Sequence, residues 1–360
     1  GDDGAAYRRA LRPLVEAGHD LIDGILSPLA IPPRHPIHMA RFGLAGIGSA
    51  QCFARRFRSD AASGLFAGLA AHAILPLDRA ITAGTGLLFG ALGHVVGWPQ
   101  PVGGSQRIAD ALVGVLAAHG GTVECGVEVT SLDEFPAGAT VVLDVTPRQL
   151  AAIAGDRLPR RYGRRLGRFR YGAGAFKLDY VLSGPVPWAN ADARVAGTVH
   201  VGGGVAEVAA SESAVGAGRH PDRPFVLVAQ PTVFDPARSA TGRHLAWAYC
   251  HVPHGSTVDM TAAVEAQIER FAPGFGDLIV GRHAMTTRAL EAYNPNYVGG
   301  DIAGGASDLR QFFGRPVLSP NPWRTPIRDV YVCSSSTPPG AGVHGMCGWH
   351  AARAVLAATR

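Results

Sequence analysis

The sequence predicts a mixed chain, α/β in part and α+β overall, and three observations carry that expectation. Apolar positions in residues 1–100 recur at helical spacing. A stretch near 101–150 reads helix, short strands, then a buried strand, the grammar of an α/β unit. From 169 to 253 the pattern alternates as antiparallel strands do, before a last strand, a glycine loop and a helix close the chain.

In "YRRALRPLVEAGHDLIDGIL", Leu11, Leu14, Val15, Leu21, Ile22 and Ile25 fall on a helical period. "SDAASGLFAGLAAHAIL" opens with Ser59 or Asp60 as a helix cap. Gly84, Gly86 and Gly90 in "TAGTGLLFG" follow no β-branched run, so they predict close helix packing rather than a phosphate loop. In "PVGGSQRIADALVGVLAAHGGTVECGVEVTSL" a helix is expected over 105–119, ended by Gly120 and Gly121, with strands over 122–125 and 127–132. "ATVVLDVTP" has the short apolar run of a buried parallel strand. "GAFKLDYVL", "AGTVHVGG", "PFVLVAQPTVF" and "HLAWAYCHVP" are strand-like, separated by Pro, Gly and Asp. A helix in "DMTAAVEAQIERFAP", a strand in "DLIVGRHAMT", a loop over 294–328, the strand "DVYVCSS" and a helix over 348–359 complete the reading.

Hydrophobic residues are 47% and charged residues 17% of the 360, which excludes a disordered chain. The net charge of +5 rests almost wholly on arginine, Lys177 being the only lysine, and no aromatic-plus-basic module accompanies it, so nucleic acid is not an expected partner. Cys52, Cys125, Cys250, Cys333 and Cys347 are scattered and odd in number, which predicts a reduced, cytoplasmic protein with no metal site. In "CHVPH", Cys250 and His251 would point to opposite faces of a strand, against a metal reading. The N-terminus has no signal-peptide layout and reads as an internal cut. The apolar stretch 64–98 is broken by Pro76, Asp78 and Arg79 before it reaches the ~20 residues of a membrane span. "PRRYGRRLGRFRYG" concentrates arginines on a solvated face and leaves a peripheral contact with an anionic membrane open. No GxSxG, HExxH or Walker loop is present, against the common hydrolase and NTPase readings.

The closing segment "PPGAGVHGMCGWHAARAVL" spaces Gly340, Gly342 and Gly345 as a dinucleotide fingerprint does. Glycines there admit close backbone approach, and the following helix N-terminus offers unpaired N–H groups to an anion. A complete fingerprint also needs a second strand and an acid about 20 residues downstream, and neither follows before Arg360. The loop must therefore complete a nucleotide site begun elsewhere.

That arrangement resembles the flavin-dependent amine oxidase superfamily, and within it the phytoene desaturase and carotenoid isomerase-like family. The family's closing "GSxxHPGGGVxGxxGxxAA"-type segment has its counterpart in "CSSSTPPGAGVHGMCGWHAA". "PVGGSQRIADALVGVLAAHGGTVECGVEVTSL", "VVLDVTPRQL", "YGAGAFKLDYVLSGPVPW", "WAYCHVPHGS", "RFAPGF" and "RPVLSPNPWRTPIRDVYVC" resemble further family segments in the same order, covering nearly the whole chain. Ser334 stands where a glycine is usual, Pro338 where a histidine is common, and Ser335 where wider relatives often carry an acid. The family's N-terminal strand, fingerprint and ribose-binding acid are expected ahead of Gly1.

The resemblance implies a discontinuous FAD-binding Rossmann-like domain with an inserted β-sheet substrate domain and a helical subdomain, truncated at its N-terminus. It divides the chain into a helical substrate-side part (1–100), a flavin-domain segment with the adenine-side strand (101–150), the antiparallel sheet with its helix (151–292) and the return to the flavin domain (293–360). Val129 matches the position whose backbone reads adenine, and Ser334 and Ser335 match the turn by the pyrophosphate and ribityl chain. Gly342, Val343, His344 and Gly345 match the loop and helix start facing the isoalloxazine. No catalytic residue is assigned. The implied activity is FAD-dependent hydride transfer from a lipophilic substrate C–H to flavin N5. A redox-neutral isomerase, or a flavin-free fragment or scaffold that binds a partner, remains as an alternative.

Overall fold

The computed structural model describes residues 1–28, 32–239 and 241–359. Five helices come first: α1 (Asp2–Leu26), α2 (Pro36–Gly46), α3 (Ala50–Ala54), α4 (Asp60–Ala71) and α5 (Thr82–Val95). The apolar face read from the sequence is the buried one, since Leu11, Leu14, Ala17 and Leu21 of α1 join Phe53, Phe66, Leu77 and Leu87 in one core. Ser59 caps α4, its Oγ accepting from the Ala62 N–H. The glycines of α5 do pack closely. A Cβ on Gly84 would lie 3.1 Å from the Gly46 carbonyl oxygen, and one on Gly86 2.8 Å from the Phe66 ring, so α2 and α4 approach α5 nearer than any side chain would allow.

The α/β stretch is less complete than its sequence promises. α6 (Gln106–Ala118) forms but buries none of its residues, leaving Ile108, Leu112, Val115 and Leu116 exposed. The strands expected over 122–125 and 127–132 do not form. Ladder bonds need a neighbouring strand, and none pairs with this segment among the described residues. The Glu134 carboxylate takes the N–H groups of Thr130 and Ser131, each at 2.8 Å, closing the segment in a capping box instead. Beyond it, β1 (Val141–Leu143) is the parallel strand foreseen, followed by α7 (Pro147–Ala154) and α8 (Arg160–Leu166).

The remaining elements are β2 (Gly174–Leu182), α9 (Ala191–Arg194), β3 (Thr198–Val201), α10 (Val205–Gly216), β4 (Val226–Ala229), β5 (His244–Val252), α11 (Thr261–Glu269), β6 (Ile279–Met285), α12 (Thr287–Tyr293), α13 (Leu309–Gly314), β7 (Val330–Val332) and α14 (Met346–Ala358). Helices α10 and α13 occupy stretches read as strand spacers and loop. β3, β4, β5, β2 and β6 make one antiparallel sheet in that order. One of its faces carries Phe176, Leu178, Tyr180, Val228, Ala248 and Cys250 into a core with Val264 and Ile268 of α11. β1 and β7 form a separate parallel pair, Leu143 opposite Val332. Their side chains share a smaller core with Leu132, with Leu150 of α7 and with Tyr162 and Leu166 of α8. Among the described residues no helix is long and apolar enough to cross a membrane.

Candidate functional site

The loop after β7 has a fixed half and an open half. Ser334 is buried, and its Oγ accepts from the Ser336 N–H while its carbonyl accepts from Thr337. The Ser335 carbonyl accepts from the buried Arg315 guanidinium at 3.0 Å. Trp323 donates its indole N–H to Pro338 at 3.1 Å, and the Cys347 thiol lies within reach of the Thr337 and Gly340 carbonyls. Below the loop, the fully buried Asp301 carboxylate accepts from the N–H groups of Gly172, Ala303 and Gly305, at 2.7, 2.8 and 2.8 Å. This acid in a glycine-rich turn saturates its oxygens with backbone donors, and with Arg315 it holds the loop from beneath.

Beyond Gly340 the loop opens. Gly342 and Gly345 are exposed, and Val343 is 93% exposed. Gly345 stands at φ 67, just ahead of α14, and a Cβ there would meet no atom within 4 Å. Helix α14 has no side-chain cap. Burial lowers the His344 pKa, so its imidazole is held neutral, and its Nδ1 accepts from the Met346 N–H at 3.0 Å. An open glycine entry and an uncapped thirteen-residue helix make an anion-accepting end with room for a planar group. The residues present fit a flavin on this observation: Gly342, Val343 and Gly345 would hold it through backbone, with His344 ordering the turn.

Of the residues expected from the sequence, the structure brings Ser334, Ser335, Gly342, Val343, His344 and Gly345 into one loop. Ser334 is turned inward, with its hydroxyl spent on the turn itself. Val129 is half-buried and lies outside any strand. Three residues on, Leu132 shares the small core with Val332 of β7, which ties the two segments to one body.

A second surface was not foreseen. Pairing register places His200, Leu227, Tyr249, Lys177 and Met285 in one row across the five strands, and Trp247, Asp179 and His283 in the next, on the face opposite the α11 core. Lys177 is ion-paired to Asp179 and sits 5.9 Å from the Trp247 ring centre. At the far end, His200 and His72 are hydrogen-bonded through their Nε2 atoms at 3.0 Å. Burial lowers their pKa values to about 4 and about 3, so both rings are neutral. From His72 an aromatic stack continues through Phe89 to the exposed Trp98. Next to it, His251 and Glu212 form a fully buried pair at 2.9 Å. Burial also pushes the Tyr249 hydroxyl up to about 12, so it keeps its proton. The alternation of Trp247, Tyr249 and His251 in "HLAWAYCHVP", with Lys177 at a matching position of β2, was the available signal.

No protein-family profile matches the chain. A rat protein named pyridine nucleotide-disulfide oxidoreductase domain-containing protein 2 is 33% identical over 146 residues, covering 37% of this chain and 25% of the relative. The mouse protein of that name is 39% identical over 90 residues, covering 25% of this chain and 15% of its own. The chain thus spans a quarter or less of these relatives' length. Among solved structures, wild-type putrescine oxidase bound to putrescine superposes with a TM-score of 0.57 at 14% identity, over 98% of this chain and 76% of that one. An oxidoreductase from Methanosarcina mazei gives 0.56 at 16% identity, over 86% and 68%. The chain shares its mixed helix-and-sheet fold with these oxidoreductases. β1 and β7 form one sheet and the other five strands a second, with no strand shared between them among the described residues.

Proposed function

We propose that this chain carries the closing cofactor loop and one substrate wall of an FAD-dependent oxidoreductase that removes hydride from a C–H bond of a lipophilic substrate, as the phytoene desaturase-like resemblance implies. The observation that carries the reading is a shared fold over nearly the whole chain, with the open glycine loop at the end of a parallel strand. In open α/β sheets ligands gather at the carboxyl ends of such strands. A bound flavin supplies the hydride acceptor. The protein's own part is positioning. Gly345 admits the cofactor's close approach, and the first N–H groups of α14 favour negative charge there. Tyr249 stays a hydrogen-bond donor, Lys177 offers a fixed cation held by Asp179, and Trp247 gives an apolar plane. The neutral His72–His200 pair and the Phe89–Trp98 stack set aromatic planes at the end of this row, suited to contact with a planar, apolar substrate.

The test is titration of the chain with FAD, followed by visible absorbance and tryptophan quenching, Trp349 on α14 being exposed. Gly345→Val closes the approach, and Val343→Glu adds a like charge on a side chain that packs against nothing. Each is expected to weaken FAD binding at least tenfold. Thermal melting separates loss of fold from loss of site. Unchanged affinity in both variants overturns the loop assignment.

A further inference from the structure

Between α8 and the α13 segment lies a hollow of about 350 Å3 that the flavin reading does not use. Arg165, Arg168 and Arg310 stand on its rim, exposed. Arg170, beside them, is paired with Asp308, whereas the ion pairs among the described residues include none of the other three. Tyr162 and Leu166 of α8 turn into the core, which fixes the arginine-bearing side of that helix outward. The floor is apolar, made by Phe169, Pro316 and Val317. Phe313 and Leu318 project from the lip, exposed, and Phe312 packs edge-on against Phe313 at 5.1 Å.

Unpaired guanidinium groups around an apolar floor recognise an anion attached to an apolar body. Guanidinium matches phosphate oxygens in a planar fork. Exposed phenylalanine and leucine next to that charge are the residues that settle into the headgroup–acyl boundary of a bilayer. Water-facing Phe313 and Leu318 have no such role if the ligand is a free ion.

We propose that this hollow docks the protein on an anionic bilayer, seating a phospholipid headgroup phosphate among Arg165, Arg168 and Arg310 while Phe312, Phe313 and Leu318 enter the interface. The inference is independent of the flavin reading. Attachment is to the surface, by charge and shallow insertion together, and it weakens with salt.

The experiment is co-sedimentation of the full chain with vesicles of phosphatidylcholine alone and of phosphatidylcholine with about 30 mol % phosphatidylserine, an anionic surface that attracts basic groups. Binding is expected to the anionic vesicles and not to the neutral ones. The R165E/R168E double variant should lose at least tenfold in binding. F312S/F313S should lose a comparable factor that persists at low salt, which a purely ionic contact would not show. Circular dichroism and thermal midpoints verify that the exposed-site variants fold. Three results overturn the proposal: no binding to anionic vesicles, binding that neither double variant alters, or equal affinity for soluble dihexanoyl phosphatidylserine or inorganic phosphate that is indifferent to F312S/F313S. The last would make the hollow a site for a free anion.

Discussion

The described residues form two sheets, and they differ in how finished they are. The five-stranded antiparallel sheet has a closed apolar core on one face, and its other face meets the helical body through His72 and His200. The parallel pair β1–β7 is only three residues long, and ahead of it in sequence α6 and the segment over 122–127 expose their apolar side chains. The strands differ in where their partners come from. β2 and β5 pair over nine residues, and β3 and β4 join them from nearby in sequence, so local alternation already specifies the sheet. A parallel strand takes its partners across crossovers. Its apolar run says that it will be buried without saying by what.

The widest gap between the two is in hydrogen exchange. Amides of Leu178, Val228 and Ala248 should be protected at least about a thousandfold more than those of Val123 and Val127, since exchange follows ladder bonding and burial. Comparable protection would mean that the segment over 122–129 is paired in solution, and the contrast would collapse. Substitutions give the next largest effect. Phe275→Ala, in the sheet core, should cost about 3–5 kcal/mol in urea unfolding, with Leu112→Ser on α6 within about 0.5 kcal/mol of the unaltered chain. A Leu112 effect near that of Phe275 would show that α6 does bury this face.

The smallest effect probes the seam. His72 and His200 have folded-state pKa values of about 3 and about 4, below the ordinary histidine value. As pH falls below about 6.5 the unfolded chain takes up these protons first, so stability is full above that pH and is lost on the way down to about pH 4. Between pH 7 and 5 the urea midpoint should drop by the equivalent of about 1–3 kcal/mol, and H72Q/H200Q should flatten that decline. A midpoint equally steep in pH with and without the two histidines would remove the seam as its cause.

What was legible in the sequence follows the same division. Ser59 as a cap, the glycines of α5, β1 as a parallel strand and the alternating strands of the sheet were legible because the signal for each lies within a few consecutive residues, however distant the partners. The strands around Val129 were read from composition, and their composition is right. No strand stands alongside them among the described residues, and the Glu134 carboxylate takes the backbone N–H groups of Thr130 and Ser131 instead. Helix α10 is not legible because polar Ser211 and Glu212 occupy its buried face, and α13 because six residues are too few to show a period. The closing loop was found by its glycines, but Arg315 and Asp301, which fix its lower half, lie 20 and more residues away and carry no motif. The wall with Lys177 and Tyr249 required knowledge of register, because strands some seventy residues apart supply its neighbours.

The single lysine has a practical meaning of its own. Residues 1–360 contain one side-chain amine, and it stands in the middle of the sheet's candidate wall, two positions from its carboxylate partner. Any amine-directed reagent therefore has one side-chain target in this chain besides the α-amino group. Acylation there would cancel the charge opposite Asp179 and place an adduct against Trp247. The composition turns a general surface chemistry into a single-address label, whose mass reports occupancy of the wall.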